Sequence, residues 1–492
     1  MRTRSAHRAG IVILATAGLV GCTSSTSPGA GAITVTLTVK PPSVAAGGVL
    51  TVTATAVPSG EVSIQVIVIQ ATGAFVVAES VIVQGADSQS VTRNYAVPTQ
   101  APPGSVNFTA TARGGSVVGH AQATVFVLPS TYRSVSAGGY HTCGLAADST
   151  AYCWGANGVG QLGAGDTVSR GTPVAVAGGL RFVGLSAGGF HTCALTAAGT
   201  AYCWGGGDSV PKVVGGGIPF VQLAAGGTNH KCGITAVGTP YCWGDNRQGQ
   251  LGDGGTTSSA TPVPVASGLT FASISTGGAH SCGLTAAGSA YCWGFNNSGQ
   301  LGDSTTTDRW SPVAVKGGFT FASLVAGGLH TCALTTTAAT YCWGANGSYE
   351  LGDGTNLDHP TPVAVQSTIS FANLGSAVGS HTCGVTGSGL GYCWGDNIFG
   401  QIGDGTTGSV APTPHAVAGA LTFVAVSGGS DHSCGLSTAH IAYCWGFNGN
   451  GQLGTGPLWG NQSHTGARCR ASSVGWCNHL IVLWSGLMTS GL

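Results

Sequence analysis

Tryptophan stands at 154, 204, 243, 293, 343, 394 and 445, so the successive intervals are 50, 39, 50, 50, 51 and 51 residues. A period of that length means one supersecondary unit repeated side by side, because a unit so small cannot bury its own apolar face. One unit reads Ala187-Gly-Gly-Phe-His-Thr-Cys-Ala-Leu-Thr-Ala-Ala-Gly-Thr-Ala-Tyr-Cys-Trp-Gly205. Most units continue through a stretch like Asn246-Arg-Gln-Gly-Gln-Leu-Gly-Asp-Gly254, then Pro-Val-x-Val, then a strand such as Phe271-Ala-Ser-Ile-Ser275. Each unit therefore holds four short strands between Gly-rich turns, and no helical periodicity interrupts them. Seven four-stranded sheets set radially make a propeller, which shelters sheet edges that would otherwise be exposed.

Composition narrows the partners. The chain of 492 residues has 85 Gly, 16 Lys+Arg against 16 Asp+Glu, and only 7% charged residues. With no excess positive charge to release counterions, the driving force for polyanion binding is missing, and no nucleic-acid partner is expected. A hydrophobic content of 43% with 11 Trp supports a large core rather than a disordered chain.

The N-terminus speaks to compartment. Arg2, Arg4 and Arg8 precede an apolar run from Ala9 to Val20 that is too short to span a bilayer of about 30 Å, the pattern of a signal peptide. Leu19-Val20-Gly21-Cys22 resembles the bacterial lipobox, whose Cys becomes the lipidated first residue of the mature protein. That resemblance makes residues 1–22 a lipoprotein signal, 23–32 a polar tether, Cys22 the lipidation site, and the cell envelope the location. From 33 to 129, runs such as Leu50-Thr-Val-Thr-Ala-Thr-Ala56 alternate β-branched and small residues between Pro and Gly clusters. They predict a β-sandwich, similar to bacterial Ig-like modules, that holds the repeats off the membrane.

The repeat block, 130–457, has the consensus GGxHTCALTxxGxxYCWGxNxxGQLGDG, which resembles the RCC1 repeat (regulator of chromosome condensation). The resemblance implies an all-β chain with a seven-bladed propeller. It implies function only weakly, because propellers host unrelated activities. Guanine nucleotide exchange, the activity of the family's best-known member, is the remote alternative. This chain looks exported and uncharged, and no Trp interval exceeds 51, leaving no room for the inserted β-wedge used in exchange.

Fourteen of the 17 Cys form pairs ten apart: Cys143/Cys153, Cys193/Cys203, Cys232/Cys242, Cys282/Cys292, Cys332/Cys342, Cys383/Cys393 and Cys434/Cys444. If Ala197-Ala198-Gly199 is a three-residue hairpin loop with a left-handed Gly, residues i and i+10 face each other across the ladder, within disulfide range. Gly238, Gly288 and Gly389 repeat that position; Ser149, Ala338 and His440 replace it and weaken the turn expected there. The competing chemistry is metal, since His141, His191, His230, His280, His330, His381 and His432 each stand two residues before a Cys and share its face. Zinc would want a fourth ligand that no repeat supplies. Disulfides, and structural His near the inner strands, are the favoured reading. RCC1-like repeats of the cytoplasm or nucleus carry small apolar residues at the Cys positions, so the pairs fit an oxidising compartment.

No HExxH, GxSxG, phosphate-cradling GxxxxGK or EF-hand loop is present. Asp253, Asp303, Asp353 and Asp404 sit singly in LGD turns, whereas a calcium loop needs several carboxylates. No enzyme, cofactor or metal site is expected. What remains is a binding surface, sought where units differ: Arg309 and Trp310 in the fourth, Tyr349 and Glu350 in the fifth, Ile398 and Phe399 in the sixth. The second unit has lost its GQLGDG segment, which predicts a notch on that rim. An unknown protein bound to one propeller face is the expected partner, with a cell-wall glycan as the alternative and the membrane reached through Cys22. From 458 to 492 the repeat grammar stops. Either Leu480 to Trp484 supplies a ring-closing strand, or this tail is a truncated or frame-shifted end.

Overall fold

The computed structural model describes residues 21–22, 32–40, 43–45, 48–98, 101, 103–129, 131–227, 229–375 and 378–455. The expected export signal through Val20, the tether up to residue 31 and the tail beyond residue 455 lie outside the described residues. Every element among the described residues is a β-strand. The chain divides at residues 130 and 131 into two compact units.

The first unit pairs two sheets over one core. In one, Val117–Leu128 lies between Gly21–Cys22 and Gly104–Gly114, and Ile64–Gly73 and Val77–Gly85 complete the order. The other joins Ala32–Lys40, Val49–Ser59 and Gln89–Ala96. Strict alternation explains the burial: Ile33, Val35 and Leu37 face inward, as do Leu50, Val52 and Ala54 on the neighbouring strand. On the outer face Thr51, Thr53 and Thr55 hydrogen-bond Asn94, Thr92 and Ser90 directly opposite. A register irregularity between Ile64 and Val66 shifts the inward face from Ile64 to Ile67 and Ile69.

The second unit is the propeller. Blade 1 is Tyr132–Ala137, His141–Ala146, Ala151–Gly155 and Arg170–Ala175, hydrogen-bonded in chain order. Blades 2 to 6 repeat this arrangement from first strands Gly184–Ala187, Phe220–Ala225, Ser273–Thr276, Phe321–Ala326 and Phe371–Gly375. Blade 7, Phe423–Gly428, His432–Ser437 and Ala442–Gly446, has three strands among the described residues. The first strands line a central channel of about 160 Å³. They are tied blade to blade: the Ala187 N–H donates to Ser136 Oγ, and the Ala137 N–H to Ser427 Oγ, each at 3.0 Å.

A disulfide joins the second and third strands of every blade. In blades 1 to 4 the bridges are Cys143–Cys153, Cys193–Cys203, Cys232–Cys242 and Cys282–Cys292. In blades 5 to 7 they are Cys332–Cys342, Cys383–Cys393 and Cys434–Cys444. Each joins residues paired directly across the ladder. Their Cα atoms stand 4.1 Å apart in blade 1, the close approach of a facing antiparallel pair. The thiols are thereby consumed, which removes the ligands a zinc site would have used. Gly199, Gly238, Gly288 and Gly389 take the left-handed conformation their loops require. So do Ser149, Ala338 and His440, with φ of 69°, 63° and 59°, so the same turn forms in blades 1, 5 and 7 despite the missing Gly. The expected weakening there is a conformational cost rather than a change of turn.

Each repeated Trp is buried against an aromatic of its own first strand or the segment leading into it, as Trp293 is on Phe271 with centroids 5.9 Å apart. In Trp154, Trp293, Trp394 and Trp445 the indole N–H reaches the preceding blade, as Trp293 Nε1 donates to the Gln250 carbonyl at 3.0 Å. These Trp thus pack within one blade and anchor it to its neighbour.

Candidate binding surface

Each blade passes from first to second strand through small residues, one variable residue and the His. The small residues are sterically required. A Cβ on Gly138 would come within 2.5 Å of the His141 ring, and one on Gly139 within 2.6 Å of the Gly189 carbonyl of blade 2. The turns of neighbouring blades therefore touch and form a mouth on the propeller axis, a cavity of about 310 Å³ bordered by Tyr140, Phe190, Leu329, Val378 and Ser380.

The variable residue precedes each His, so seven equivalent positions ring this mouth: Tyr140, Phe190, Asn229, Ala279, Leu329, Ser380 and Asp431. Phe190 is 49% exposed and Leu329 44%, high values for large apolar side chains. The Tyr140 and Phe190 rings stand 5.9 Å apart. A second cavity, about 320 Å³, shares Gly278 and Leu329 with the mouth and runs outward past Phe295 to Asp245 and Arg247. Asp245 and Arg247 are ion-paired at 2.9 Å.

Behind the mouth the seven His are fully buried. The Nε2 atom of each of His141, His280, His330, His381 and His432 lies 2.7–3.0 Å from a Ser or Thr hydroxyl on the next blade. That hydroxyl already donates its proton to a backbone carbonyl, as Thr331 does to Gln300 at 2.9 Å. A hydroxyl has one proton, so the His must be the donor and Nε2 carries hydrogen. Burial keeps the ring neutral, pushing His141, His280, His381 and His432 down to about 3. A neutral, engaged imidazole is a strut between blades.

The belt is interrupted at two adjacent blades, 2 and 3, where neither His191 Nε2 nor His230 Nε2 has a hydrogen-bond partner among the described residues. In blade 2 only Gly206 and Gly207 separate the third strand from the fourth, Asp208–Val213, so the Gln carbonyl that would face blade 3 is missing. The hydroxyl it would have received is missing too: Lys231 stands in that position, and His191 Nε2 has lost its hydroxyl partner. Lys231 instead donates to the Asn229 carbonyl and Oδ1 at 3.1 and 2.8 Å, and burial lowers its amine to about 8. Here also Cys203 keeps partial exposure, whereas its partner Cys193 and the twelve cysteines of the other blades are fully buried, Cys242, Cys292, Cys342, Cys393 and Cys444 at the equivalent position among them.

The six residues singled out from the sequence fall on three blades. Arg309 Nε donates to Asp303 Oδ2 at 2.7 Å, and Trp310 beside it is 52% exposed on the outer strand of blade 4. Tyr349 has φ of 66° and occupies the turn position of Gly249 and Gly299. Glu350, only 5% exposed, takes the place of a repeated Gln: its Oε2 accepts the Ser348 N–H at 2.8 Å, as Gln300 Oε1 accepts that of Ser298. It is therefore part of a buried turn and not of a surface, which corrects its expected place. Ile398 is exposed, and Phe399 packs on Phe447 with centroids 4.9 Å apart. The Asp side chains of the LGD turns accept from a buried Asn, as Asp253 does from Asn246 at 3.0 Å.

Models of the regulator of chromosome condensation (RCC1) repeat match residues 148–195, 238–284, 287–334 and 388–436, and a second RCC1 repeat model matches 132–161, 182–209, 271–300 and 423–452. The chain belongs to the RCC1-repeat family. Among solved structures the RCC1 propeller is similar to Prp20p of Saccharomyces cerevisiae, at 24% identity, covering 60% of this chain and 80% of that one with a TM-score of 0.54. It is also similar to human WBSCR16, at 22% identity over 66% of this chain and 92% of that one, TM-score 0.58. Likeness at this level establishes the fold. The seven disulfides of this ring fit an oxidising compartment.

Proposed function

We propose that this chain is a non-enzymatic lipoprotein of the cell envelope, anchored through Cys22, whose RCC1 propeller is a scaffold that binds another protein. The observation that carries the reading is the ring of seven variable residues around the axial mouth, from Tyr140 to Asp431, held on a frame stiffened by seven disulfides. Rigid scaffolds with variable tips are built for recognition, and exposed aromatics supply its energy. The seven His, neutral and buried, are unsuited to acid–base chemistry with a bound substrate. Prp20p is known for binding Gsp1p and histones; binding partners rather than reactions suit this chain too. Exposed Trp310 favours a second reading, attachment to cell-wall glycan.

The test uses the full chain in its own envelope. Cross-linking followed by mass spectrometry should recover specific proteins joined to the propeller, and metabolic lipid labelling should be lost in Cys22→Ala. Sedimentation with purified peptidoglycan but no protein cross-links would replace the protein-binding reading with the glycan one.

A further inference from the structure

The mouth is chemically lopsided. Going round it, blade 7 presents Asp431, blades 1 and 2 present Tyr140 and Phe190, and blade 5 presents Leu329. Blade 7 follows blade 6 and adjoins blade 1, with the Ser430 N–H bonded to the Gly139 carbonyl at 3.2 Å, so Asp431 and Tyr140 are neighbours on the ring. Asp396 of blade 6 stands on the same edge: its N–H donates to the Ser380 carbonyl at 2.9 Å, and Gly379, next to Ser380, packs against Ser430 of blade 7. Burial first, with the neighbouring Asp396 charge second, raises the Asp431 carboxyl above its usual range. Asp396 accepts a hydrogen bond from the Gln401 side chain at 3.0 Å, and neither carboxylate is in an ion pair among the described residues. Two half-buried carboxylates without a cation therefore adjoin a pair of aromatic rings, one of them half exposed.

We propose that the axial mouth docks a protein segment carrying a lysine or arginine beside a large apolar or aromatic side chain, with the cation at Asp396 and Asp431 and the apolar group against Tyr140, Phe190 and Leu329. Charge complementarity selects the cation, because opposite charge both steers encounter and rejects acidic competitors. The apolar side chain selects the axis, where a cavity of about 310 Å³ is already open and the glycine turns leave its floor unencumbered. Asp245 in the outward cavity is already matched by Arg247, which leaves the blade 6 and 7 side as the unmatched acidic edge.

This inference rests on the protein-binding reading above, and its test separates the two. A random peptide display library is selected on the immobilised full chain, and the recovered peptides are measured by fluorescence polarisation against wild type, Asp431→Lys, Phe190→Ser and Val237→Ser, each checked for an unchanged unfolding midpoint. Val237 is exposed in the loop between the second and third strands of blade 3, away from the mouth. Recovered peptides should place Lys or Arg next to an aromatic. Asp431→Lys should weaken them at least about tenfold and turn the preference to acidic peptides, Phe190→Ser should weaken them similarly, and Val237→Ser should leave them unchanged. Peptides without a cationic preference, or indifferent to Asp431→Lys and Phe190→Ser, would overturn the proposal while leaving protein binding intact. Recovery of no peptide, with retention of purified peptidoglycan, would overturn both.

Discussion

His432 Nε2 lies 2.8 Å from the Thr142 hydroxyl, although 290 residues separate them in the chain. The contact joins blade 7 to blade 1 and repeats, at the seam, the bond that His280 makes to Thr331 between consecutive blades. The sequence offers Leu480 to Trp484 as a closing strand or else a truncated or frame-shifted tail, and that tail lies outside the described residues. Among the described residues the seam is held by the same strut as other joints, reinforced by the Thr142 hydroxyl and the Trp154 indole, both donating to the Gln452 carbonyl at 2.9 Å.

Thr142→Val keeps the shape and removes the acceptor, leaving a buried imidazole N–H unpaired. The expected loss is about 1–3 kcal/mol in urea unfolding. Thr331→Val should cost a similar amount, yet blades 4 and 5 stay connected through the chain while blades 7 and 1 do not. Thr142→Val should therefore also accelerate native-state proteolysis, and Thr331→Val should not. Equal proteolysis rates would mean the seam is closed by something other than this strut.

Disulfide reduction should be ordered. Thiolate attack needs access, and Cys203 is the one bridged cysteine with partial exposure. Stepwise reduction with alkylation and peptide mapping should label Cys193 and Cys203 first and the other six pairs later. Each ten-residue loop is worth about 2–3 kcal/mol, so losing the remaining six should coincide with unfolding, whereas losing the first should not. Simultaneous labelling of all seven pairs would contradict the order.

Ala338 occupies a left-handed turn with φ of 63° and no side-chain partner to hold it there. Relief of that conformation outweighs the greater freedom a glycine has when unfolded, so Ala338→Gly should stabilise the chain by about 0.5–1 kcal/mol. The reverse change in the equivalent turn, Gly199→Ala, should destabilise it by at least about 1 kcal/mol, since its Cβ would also meet the Phe220 carbonyl at 2.9 Å. Thermal denaturation of the two variants reads both signs.

Much of this is legible from the repeat. Facing cysteines follow from the i, i+10 spacing once a three-residue loop sets the register, and Cys242 opposite Cys232 or Cys444 opposite Cys434 obeys it as Cys153 opposite Cys143 does. The His partner is harder to read, since it is the residue after the next blade's His, and only stacking consecutive units brings His280 to Thr331. The pattern shows in outline: every unit but the third has Ser or Thr after its His, and the exception, Lys231, follows the unit whose Gln-bearing segment is lost. Glu350 and Tyr349 look unusual by residue type, but aligned with Gln300 and Gly299 they are substitutions inside a buried turn. The axial mouth is hidden in the sequence because its variable position lies between repeated small residues and a His, where attention falls on the frame. Whether residue 190 faces solvent depends on blade packing, which no single unit encodes.

Acid should open the belt. Burial depresses the seven His, to about 3 for His141, His280, His381 and His432, about 4 for His230 and His330, and well below the ordinary value for His191. The unfolded chain binds protons near 6.5, so between that pH and about 3 it holds more protons than the native ring. Their contribution is therefore fully present above about 6.5 and is lost as pH falls towards the folded values. Between pH 6.5 and 5 ordinary carboxylates are still ionised, which isolates the histidine effect. Urea midpoints should decline across that interval with an uptake of more than one proton on unfolding. The slope should shrink in a chain carrying His280→Gln, whose amide N–H can still reach Thr331. A midpoint constant from pH 7 to 5 would mean that the imidazoles are charged or solvated in the native ring, and the interblade strut would have to be abandoned.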